Sequence, residues 1–452
     1  MVSITCYGGA NEIGGNKILL EDKGVKLYLD FGQSFTFGED FFYEYLAPRT
    51  ANGLEVYFEF DMLPKIKGLY SENLLRVTGL KYQKPDVDAV LISHPHADHI
   101  GHLEFLDEGI PLYMGRGAHR ITEIYHKLFP TLSNIGEHKN LHLFGSGDKL
   151  KIGHITVEPI HVDHSIPGAY GFIIHTSKGA IVYTGDFRLH GPRADMSGEF
   201  ARKAAAAKPK ALICEGTRMG YETEHNFTEA EVETKASGII KASKGLVLAY
   251  FSMSNLDRFM CFYRAARRNG RILVIDTRLA LIIDNMREHI KVLPNVNKDK
   301  NIAVYFRISK SCTYCEKDYA PWERAYMPKK VTSEDISRNQ KKYVMHLGFY
   351  RLMELVYIQP QNADFIYSMS EHFLEGDDNE EQRRVWENWM RHFKIKFHKA
   401  HSSGHASGKD LAEFVKKVNP KMLIPVHTQN AEGFRKIHPH VRILKKGERT
   451  EL

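Results

Sequence analysis

This chain is poor in cysteine. Cys6, Cys214, Cys261, Cys312 and Cys315 are too few and too scattered along 452 residues to make a disulfide framework. No apolar run approaches the length of a membrane span, so no membrane partner is expected. The first residues, Met1-Val2-Ser3-Ile4-Thr5, start a strand pattern and not a signal peptide. A reducing, cytoplasmic setting is the expectation that follows. Charge of one sign does not dominate either. Against 55 Asp and Glu stand 62 Lys and Arg, a net +7 that permits a polyanionic substrate without requiring one. The glycines from Gly8 to Gly15 have no Lys-Ser/Thr pair behind them and lead into a strand pattern, so they read as turn glycines and not as a phosphate loop.

Histidine is plentiful, and one stretch concentrates it: Leu91-Ile92-Ser93-His94-Pro95-His96-Ala97-Asp98-His99. The apolar run 87–92 reads as a buried strand, with the polar cluster as the loop at its C-terminal end. His94 and His96 are two apart, so in extended chain they point the same way. The chain must then turn to bring Asp98 and His99 back to the same point. Imidazole nitrogen with carboxylate oxygen suits Zn²⁺, or Mn²⁺ and other first-row divalent ions. Four donors from one loop exceed what a single open catalytic zinc needs, so a two-metal site is inferred. A lone histidine here would be a solvated loop residue; the spacing carries the argument.

The same arrangement, an apolar strand ending in a ligand-type residue, recurs along the chain. Asp30 ends the strand 25–29, either as a turn aspartate or as a carboxylate that orients a ligand histidine. Beyond 155–160, His161 and His164 compete, and His164 is chosen because it sits furthest past the strand. Asp186 follows 180–183 and has the chemistry to bridge two metals. Glu215 ends 211–214, and His427 ends 422–426. His405 lies among small residues that let a phosphate or backbone come close.

Residues 33–85 are aromatic-rich and irregular, including Phe35, Phe37, Phe41, Phe42, Tyr43, Tyr45, Tyr57, Phe58 and Phe60. They are expected to pack in the core, over the site or at a subunit contact. A helix is expected to start at 101–106. From about 217 to 391 strands and helices alternate, with helices at 229–242 and 255–268, which argues for a parallel sheet and a second α/β domain. Ser252, Asn255 and Arg258 stand at a strand-to-helix junction, suited to gripping phosphate or to capping the helix. Arg264, Arg267 and Arg268 read best as a solvated helix face. Cys312 and Cys315 form one isolated CxxC without further ligands, taken as incidental. The acidic run 376–381 reads as a solvated loop.

Taken together, these residues resemble the metallo-β-lactamase superfamily and, within it, the β-CASP nucleases, which include ribonuclease J and the endonuclease of mRNA 3′-end processing. His94-Pro95-His96-Ala97-Asp98-His99 looks like the HxHxDH signature. Asp30, His164 in His-Ser-Ile-Pro and Asp186 in Thr-Gly-Asp-Phe fall where the other superfamily motifs belong. Glu215, His405 and His427 look like β-CASP motifs A, B and C. The chain departs from ribonuclease J-like members in carrying Glu215 for aspartate and Thr428-Gln429 for Gly-Glu after His427. It also ends soon after the returning strands, so the C-terminal domain of bacterial ribonuclease J is expected to be missing.

The resemblance implies an α/β protein, an αββα sandwich with an inserted α/β β-CASP domain. The expected boundaries are 1–216 and 394–452 for the sandwich and 217–393 for the insertion. It implies two zinc ions, one held by His94, His96 and His164, the other by Asp98, His99 and His427, with Asp186 bridging. His405 and Glu215 are the implied catalytic pair, supported by Asp98 and Asp30, and Ser403, Ser252, Asn255 and Arg258 are the candidates for gripping RNA. A histidine at 427 favours RNA, expected single-stranded, over DNA. The implied activity is zinc-dependent RNA hydrolysis, exonucleolytic, endonucleolytic or both, and a homodimer is compatible with it. A DNA nuclease or a small-molecule hydrolase of the same fold is the alternative, and a non-catalytic RNA-binding protein ranks third.

Overall fold

The computed structural model describes residues 1–34, 41–42, 46–130, 135–221, 226–370 and 379–452. Phe35, Phe37, Tyr43 and Tyr45, and residues 376–378 of the acidic run, lie outside the described residues. The chain forms two compact units, Met1–Glu224 with Gly404–Leu452, and 225–403. The divisions thus fall at 224/225 and 403/404, where the sequence suggested 216/217 and 393/394. Hydrogen bonding explains the second difference. Strand Lys396–Lys399 pairs in parallel with Asp364–Tyr367, and the Ala400 N–H donates to the Tyr367 carbonyl at 2.9 Å. The segment before the histidines of 401–405 is still the edge of the inserted sheet.

The first unit holds two mixed sheets. One runs in the order Arg449–Glu451, Val2–Gly8, Lys17–Asp22, Val25–Leu29, Ala89–Ile92, Leu112–Gly115, Leu141–Phe144. The other runs Leu423–Val426, Ala211–Glu215, Gly179–Tyr183, Tyr170–Thr176, Ile155–His161, Leu150–Ile152. Side chains alternate along each strand, which divides the core into layers. In Ala89–Ile92, Ala89 and Leu91 join Ile4, Ile18, Phe172, Ile213 and Val426 between the sheets. Val90 and Ile92 point the other way, into a cluster with Tyr57, Phe58, Leu103 and Ala118. A strand covered on both faces must be apolar throughout, which is why it reads as a continuous run. On the outer face of the second sheet, Val182 and Leu212 meet Phe200 and Ala204 of helix Ala194–Ala206 and Phe414 of helix Gly408–Val418. Helix, sheet, sheet, helix is the αββα order. Each such fully buried Leu, Ile or Phe stabilises the layers by roughly 1.5–3 kcal/mol.

Two expectations shift. The helix expected at 101–106 is only a 3-10 turn, Leu103–Phe105. The helical turn instead falls inside the histidine motif, at Ala97–Ile100. The aromatic stretch packs in the core: Leu54, Tyr57 and Phe58 lie against the outer face of the first sheet.

Lys17 is buried beneath this layer. Its Nζ donates to the carbonyls of Gly32 and Gly15 and sits 5.5 Å from the Phe31 ring centre. Burial pulls its pKa down to about 7, against the pull of Glu12 and with the help of Lys446. Below pH 7 the lysine is charged in both folded and unfolded chains, and the buried charge counts fully against the fold. Above pH 7 only the unfolded chain keeps the proton, up to about 10.5, so stability rises with pH. The expected stability of the protein relative to Lys17→Met increases by about 2–3 kcal/mol from pH 6 to pH 9, read from denaturant titrations. A flat or falling difference would contradict it.

The second unit is a seven-stranded sheet, all parallel, in the order Lys330–Val331, Ile302–Tyr305, Ile272–Asp276, Tyr343–His346, Val247–Tyr250, Asp364–Tyr367, Lys396–Lys399. Helix Glu229–Ala242 starts with a capping box, the Thr228 side chain taking the Glu231 N–H. Arg264 and Arg268 pair with Glu233 at 2.7 and 2.9 Å. Cys312 and Cys315 are exposed, and among the described residues they belong to no group placed to hold a metal. No helix among the described residues is long and apolar enough to cross a membrane.

Candidate metal centre

Every strand end singled out above in the first unit delivers its residue to one place. His94 and His96 follow Ala89–Ile92, and Asp98 and His99 lie in the turn Ala97–Ile100. His164 follows Ile155–His161, Asp186 follows Gly179–Tyr183, and His427 follows Leu423–Val426. His161 stays in its strand, stacked on Tyr170. Two of the loops hold non-glycine residues in the left-handed region, Asp30 at φ 58° and His427 at φ 52°. His427 is held there by its N–H, which donates to the Gly9 carbonyl at 2.7 Å. Gly32 permits the closest loop approach: a Cβ there would lie 1.7 Å from the Asp98 carbonyl oxygen.

The first donor group is His94, His96 and His164. His164 Nδ1 donates to the Gly404 carbonyl at 2.7 Å, so its Nε2 carries the lone pair in the neutral ring. The Ser93 hydroxyl donates to Asp30 Oδ2 at 2.7 Å and is left to accept from His94 Nδ1 at 3.0 Å, which frees His94 Nε2 in the same way. Both Nε2 atoms face His96 Nδ1, at 3.0 and 3.1 Å. A neutral His96 can offer Nδ1–H to one of them at most, whereas a cation between the three nitrogens would satisfy them all. A tetrahedral zinc with bonds of about 2.0–2.1 Å spaces its ligands about 3.3 Å apart, close to the spacing seen. Burial and the neighbouring His99 hold His94 well below the usual imidazole range. Burial brings His96 to about 4 despite Asp98 and Asp186. These rings are neutral, as ligands must be.

The second group is Asp98, His99, Asp186 and His427. His99 Nδ1 donates to Asp30 Oδ2 at 2.7 Å and turns Nε2 inward, 3.2 Å from Asp186 Oδ2 and 3.5 Å from Asp98 Oδ2. His427 Nε2 stands 2.9 Å from Asp98 Oδ2. His99 Nε2 and both Asp186 oxygens are buried without a well-formed hydrogen bond, a costly state in a finished interior. Burial disfavours charge on His99, but Asp186, Asp98 and Asp30 outweigh it and hold the ring well above its ordinary range. The pocket favours positive charge, which a bound metal cation would supply. The donor set, the orphaned atoms and the spacing all fit bound metal.

Asp30 is not a ligand in this geometry. Its carboxylate accepts the Ser93 N–H and hydroxyl, His99 Nδ1–H and the Tyr183 hydroxyl, the last at 2.6 Å, which fills its lone pairs. It orients His99. Beside the donors lies His405, its Nδ1 3.2 Å from Glu215 Oε2 and 3.1 Å from Thr217 Oγ1. Glu215 is itself pinned by the N–H groups of Phe187 and Thr217. Thr217 also meets His427 Nδ1 at 2.8 Å, so one hydroxyl touches both histidines. Thr217, Ser93 and Tyr183 were not singled out from the sequence; only the spacing of Thr217, two past Glu215, was a usable signal.

The inserted unit corrects the substrate contacts. Arg258 is 0% exposed and its guanidinium is taken by Glu229, Ser368 and Ser402, so it cannot meet a ligand. Asn255 Oδ1 accepts the Arg258 N–H and caps helix Leu256–Arg268. The Ser252 hydroxyl bonds that of Ser254 at 2.8 Å, and Ser403 is nearly buried.

Two mixed sheets between helices, with clustered histidines and aspartates at the strand ends, define the metallo-β-lactamase type of metal-binding fold. Residues 60–224 match a beta-lactamase superfamily domain, and residues 392–436 match a Zn-dependent metallo-hydrolase RNA specificity domain. Ribonuclease J of Sinorhizobium meliloti is 25% identical over 391 residues, 82% of this chain and 64% of that protein. Ribonuclease J 2 of Streptococcus pyogenes is 23% identical, covering 99% of this chain and 75% of its own. Ribonuclease J of Helicobacter pylori is 25% identical over 64% of this chain and 38% of its own. The chain thus spans less than two thirds of the first and third of these relatives. A crystal structure of an Enterococcus faecalis protein of unknown function superposes over 100% of both chains, with TM-score 0.78 and 21% identity. The chain thus carries a beta-lactamase superfamily domain and a Zn-dependent metallo-hydrolase RNA specificity domain, and it is similar to ribonuclease J proteins over most of its length.

Proposed function

We propose that this chain is a zinc-dependent ribonuclease, cleaving single-stranded RNA at a two-metal centre. The observation that carries the reading is two adjacent donor groups, with Asp186 of the second standing 3.6 Å from His94 of the first, and His405 and Glu215 beside them. His94, His96 and His164 would hold one zinc, and Asp98, His99 and His427 the other, with Asp186 between them. When bound, such a pair supplies Lewis acidity, acidifying water and neutralising charge on the scissile phosphodiester. The chain's own part is geometric and protic. Asp30 and Ser93 fix the rings of His99 and His94, and the Gly404 carbonyl fixes His164. His405, oriented by Glu215, gives its proton to the leaving 3′-oxygen. The match to an RNA specificity domain and the relatives named ribonuclease J support RNA over DNA.

The test uses the purified chain. Elemental analysis is expected to find close to two zinc equivalents. Chelation is expected to abolish cleavage of a single-stranded RNA, and added zinc or manganese to restore it, with the matching DNA far less affected throughout. A metal-free preparation that degrades RNA at full speed would end this reading. Equal cleavage of DNA would move it to the DNA nuclease alternative. Digestion of 5′-monophosphate, 5′-triphosphate and circular RNAs separates exonuclease from endonuclease action.

A further inference from the structure

Two buried residues of the first unit lie beside metal-donor positions on separate loops. Asp163 precedes His164 of the first donor group, and Arg188 stands two residues after Asp186 of the second. Both side chains are 0% exposed. The Arg188 Nε donates to Asp163 Oδ1 at 3.1 Å, and the Arg188 backbone N–H donates to the Asp163 carbonyl at 2.8 Å. Side chain and main chain thus join the same two positions. Each loop is also tied elsewhere. The Val162 N–H donates to the Ala169 carbonyl at 3.0 Å, which closes the His164 loop at its base. The Phe187 N–H donates to Glu215 Oε1 at 3.1 Å, and the Phe187 carbonyl takes the Ala406 N–H at 2.7 Å. Gly191 packs over the pair: a Cβ there would stand 2.2 Å from both Arg188 Nε and Asp163 Oδ2.

Part of this network serves the fold. Asp163 Oδ2 accepts the Arg193 N–H at 3.0 Å at the start of helix Ala194–Ala206, and Ser197 Oγ takes the Asp163 N–H at 2.9 Å. Anchoring the helix needs the carboxylate but not the guanidinium. A buried ion pair is also a poor source of stability, since apolar groups of equal volume often do as well or better. What an arginine adds is a rigid planar fork, which the single point charge of a lysine does not reproduce. We propose that Asp163 and Arg188 form a positioning brace. It fixes the His164 loop against the Asp186 loop, and with them the spacing of the two donor groups. Asp186 Oδ2 lies 3.6 Å from His94 Nε2, so a small drift of one loop would open the gap between the groups. The proposal rests on the two-metal reading.

The test uses the zinc-loaded full chain, titrated with a chromophoric chelator and assayed with a fluorescein-labelled single-stranded oligoribonucleotide. In Arg188→Lys, zinc affinity is expected to fall about 10–100-fold, the range seen when a residue that orients ligands is lost. At saturating zinc, kcat is expected to stay about tenfold or more below the parent, with KM close to it. D163N/R188M strands no buried charge and keeps an acceptor for the Arg193 N–H. It is expected to fold, with the circular dichroism of the parent, and to show the same losses. Parental zinc affinity and kcat in either variant overturn the brace. So does loss of folding in D163N/R188M, which marks a purely structural role. So does a kcat that excess zinc restores in full, which marks support of single ligands and not of their spacing. A parent that binds one zinc equivalent removes the two-metal reading and the brace's purpose together. A parent with two equivalents beside an unimpaired R188K removes the brace alone.

Discussion

Replacing His405 by alanine is expected to leave the metal content near that of the parent while RNA cleavage falls by about 10²–10⁴, the usual contribution of a positioned general acid. That is about 3–5 kcal/mol of transition-state stabilisation. Three observations set the direction. The Nδ1 edge of His405 is taken up by Glu215 and Thr217, which orient the ring. The side chain is 22% exposed, the His94 ring 0%. Burial lowers its pKa, but Glu215 and Asp186 overcome this and raise it to about 9, so it carries a proton at neutral pH. The competing geometry is also present, because His405 forms a donor group with Asp186, Glu215 and His427. The two roles separate cleanly when metal and cleavage are measured on one sample: an acid lost leaves metal in place, a ligand lost removes it. Unchanged cleavage would sink both. Glu215→Gln, which removes the charge beside His405 but keeps a hydrogen-bonding side chain there, is expected to lose less than His405→Ala.

Much of this site was readable in the sequence for a topological reason. In α/β sheets the loops at the C-terminal strand ends are where ligands bind, so an apolar run ending in His, Asp or Glu marks a candidate without knowledge of its neighbours. That logic reached His94, Asp186, Glu215 and His427 one strand at a time. It could not reach Thr217, Ser93 or Tyr183, whose importance depends on which loops meet across the sandwich. Nor could it tell what a strand-to-helix junction faces. The junction carrying Asn255 and Arg258 looks the same in sequence whether phosphate or the protein's own chain lies over it. Here Glu229, far along the chain, fills the place a phosphate would take. The helical turn at the histidine motif differs from the expected 101–106 for a related reason. Ala97–Ile100 coils inside the motif because Asp98 and His99 must turn back toward His94, a demand of the site and not of local propensity.

Asp186→Asn is expected to have the larger effect on the metal itself. One atom, Asp186 Oδ2, lies 3.2 Å from His99 Nε2, 3.6 Å from His94 Nε2 and 3.7 Å from His427 Nε2. It therefore belongs to the second donor group and also approaches a ring of the first, and no other carboxylate oxygen stands so close to rings of both groups among the described contacts. Asparagine keeps the shape, but it removes the negative charge and can turn an N–H toward the cations. Both metals should be weakened together, with stoichiometry well below two and cleavage reduced by about 10³-fold or more, as for loss of a two-metal clamp. Asp30→Asn is the matched control: the same chemical change one residue removed from the donors. Asp30 orients His99 and, through Ser93, His94 without itself belonging to a donor group, so the expected loss is about 10–100-fold in metal affinity, recoverable by adding excess zinc. Excess zinc should not rescue Asp186→Asn to the same degree, because the missing group is itself a ligand. Equal behaviour of the two variants in a zinc titration would mean that Asp186 only orients other residues. A pair of metals sharing one carboxylate would then be the wrong description of this centre.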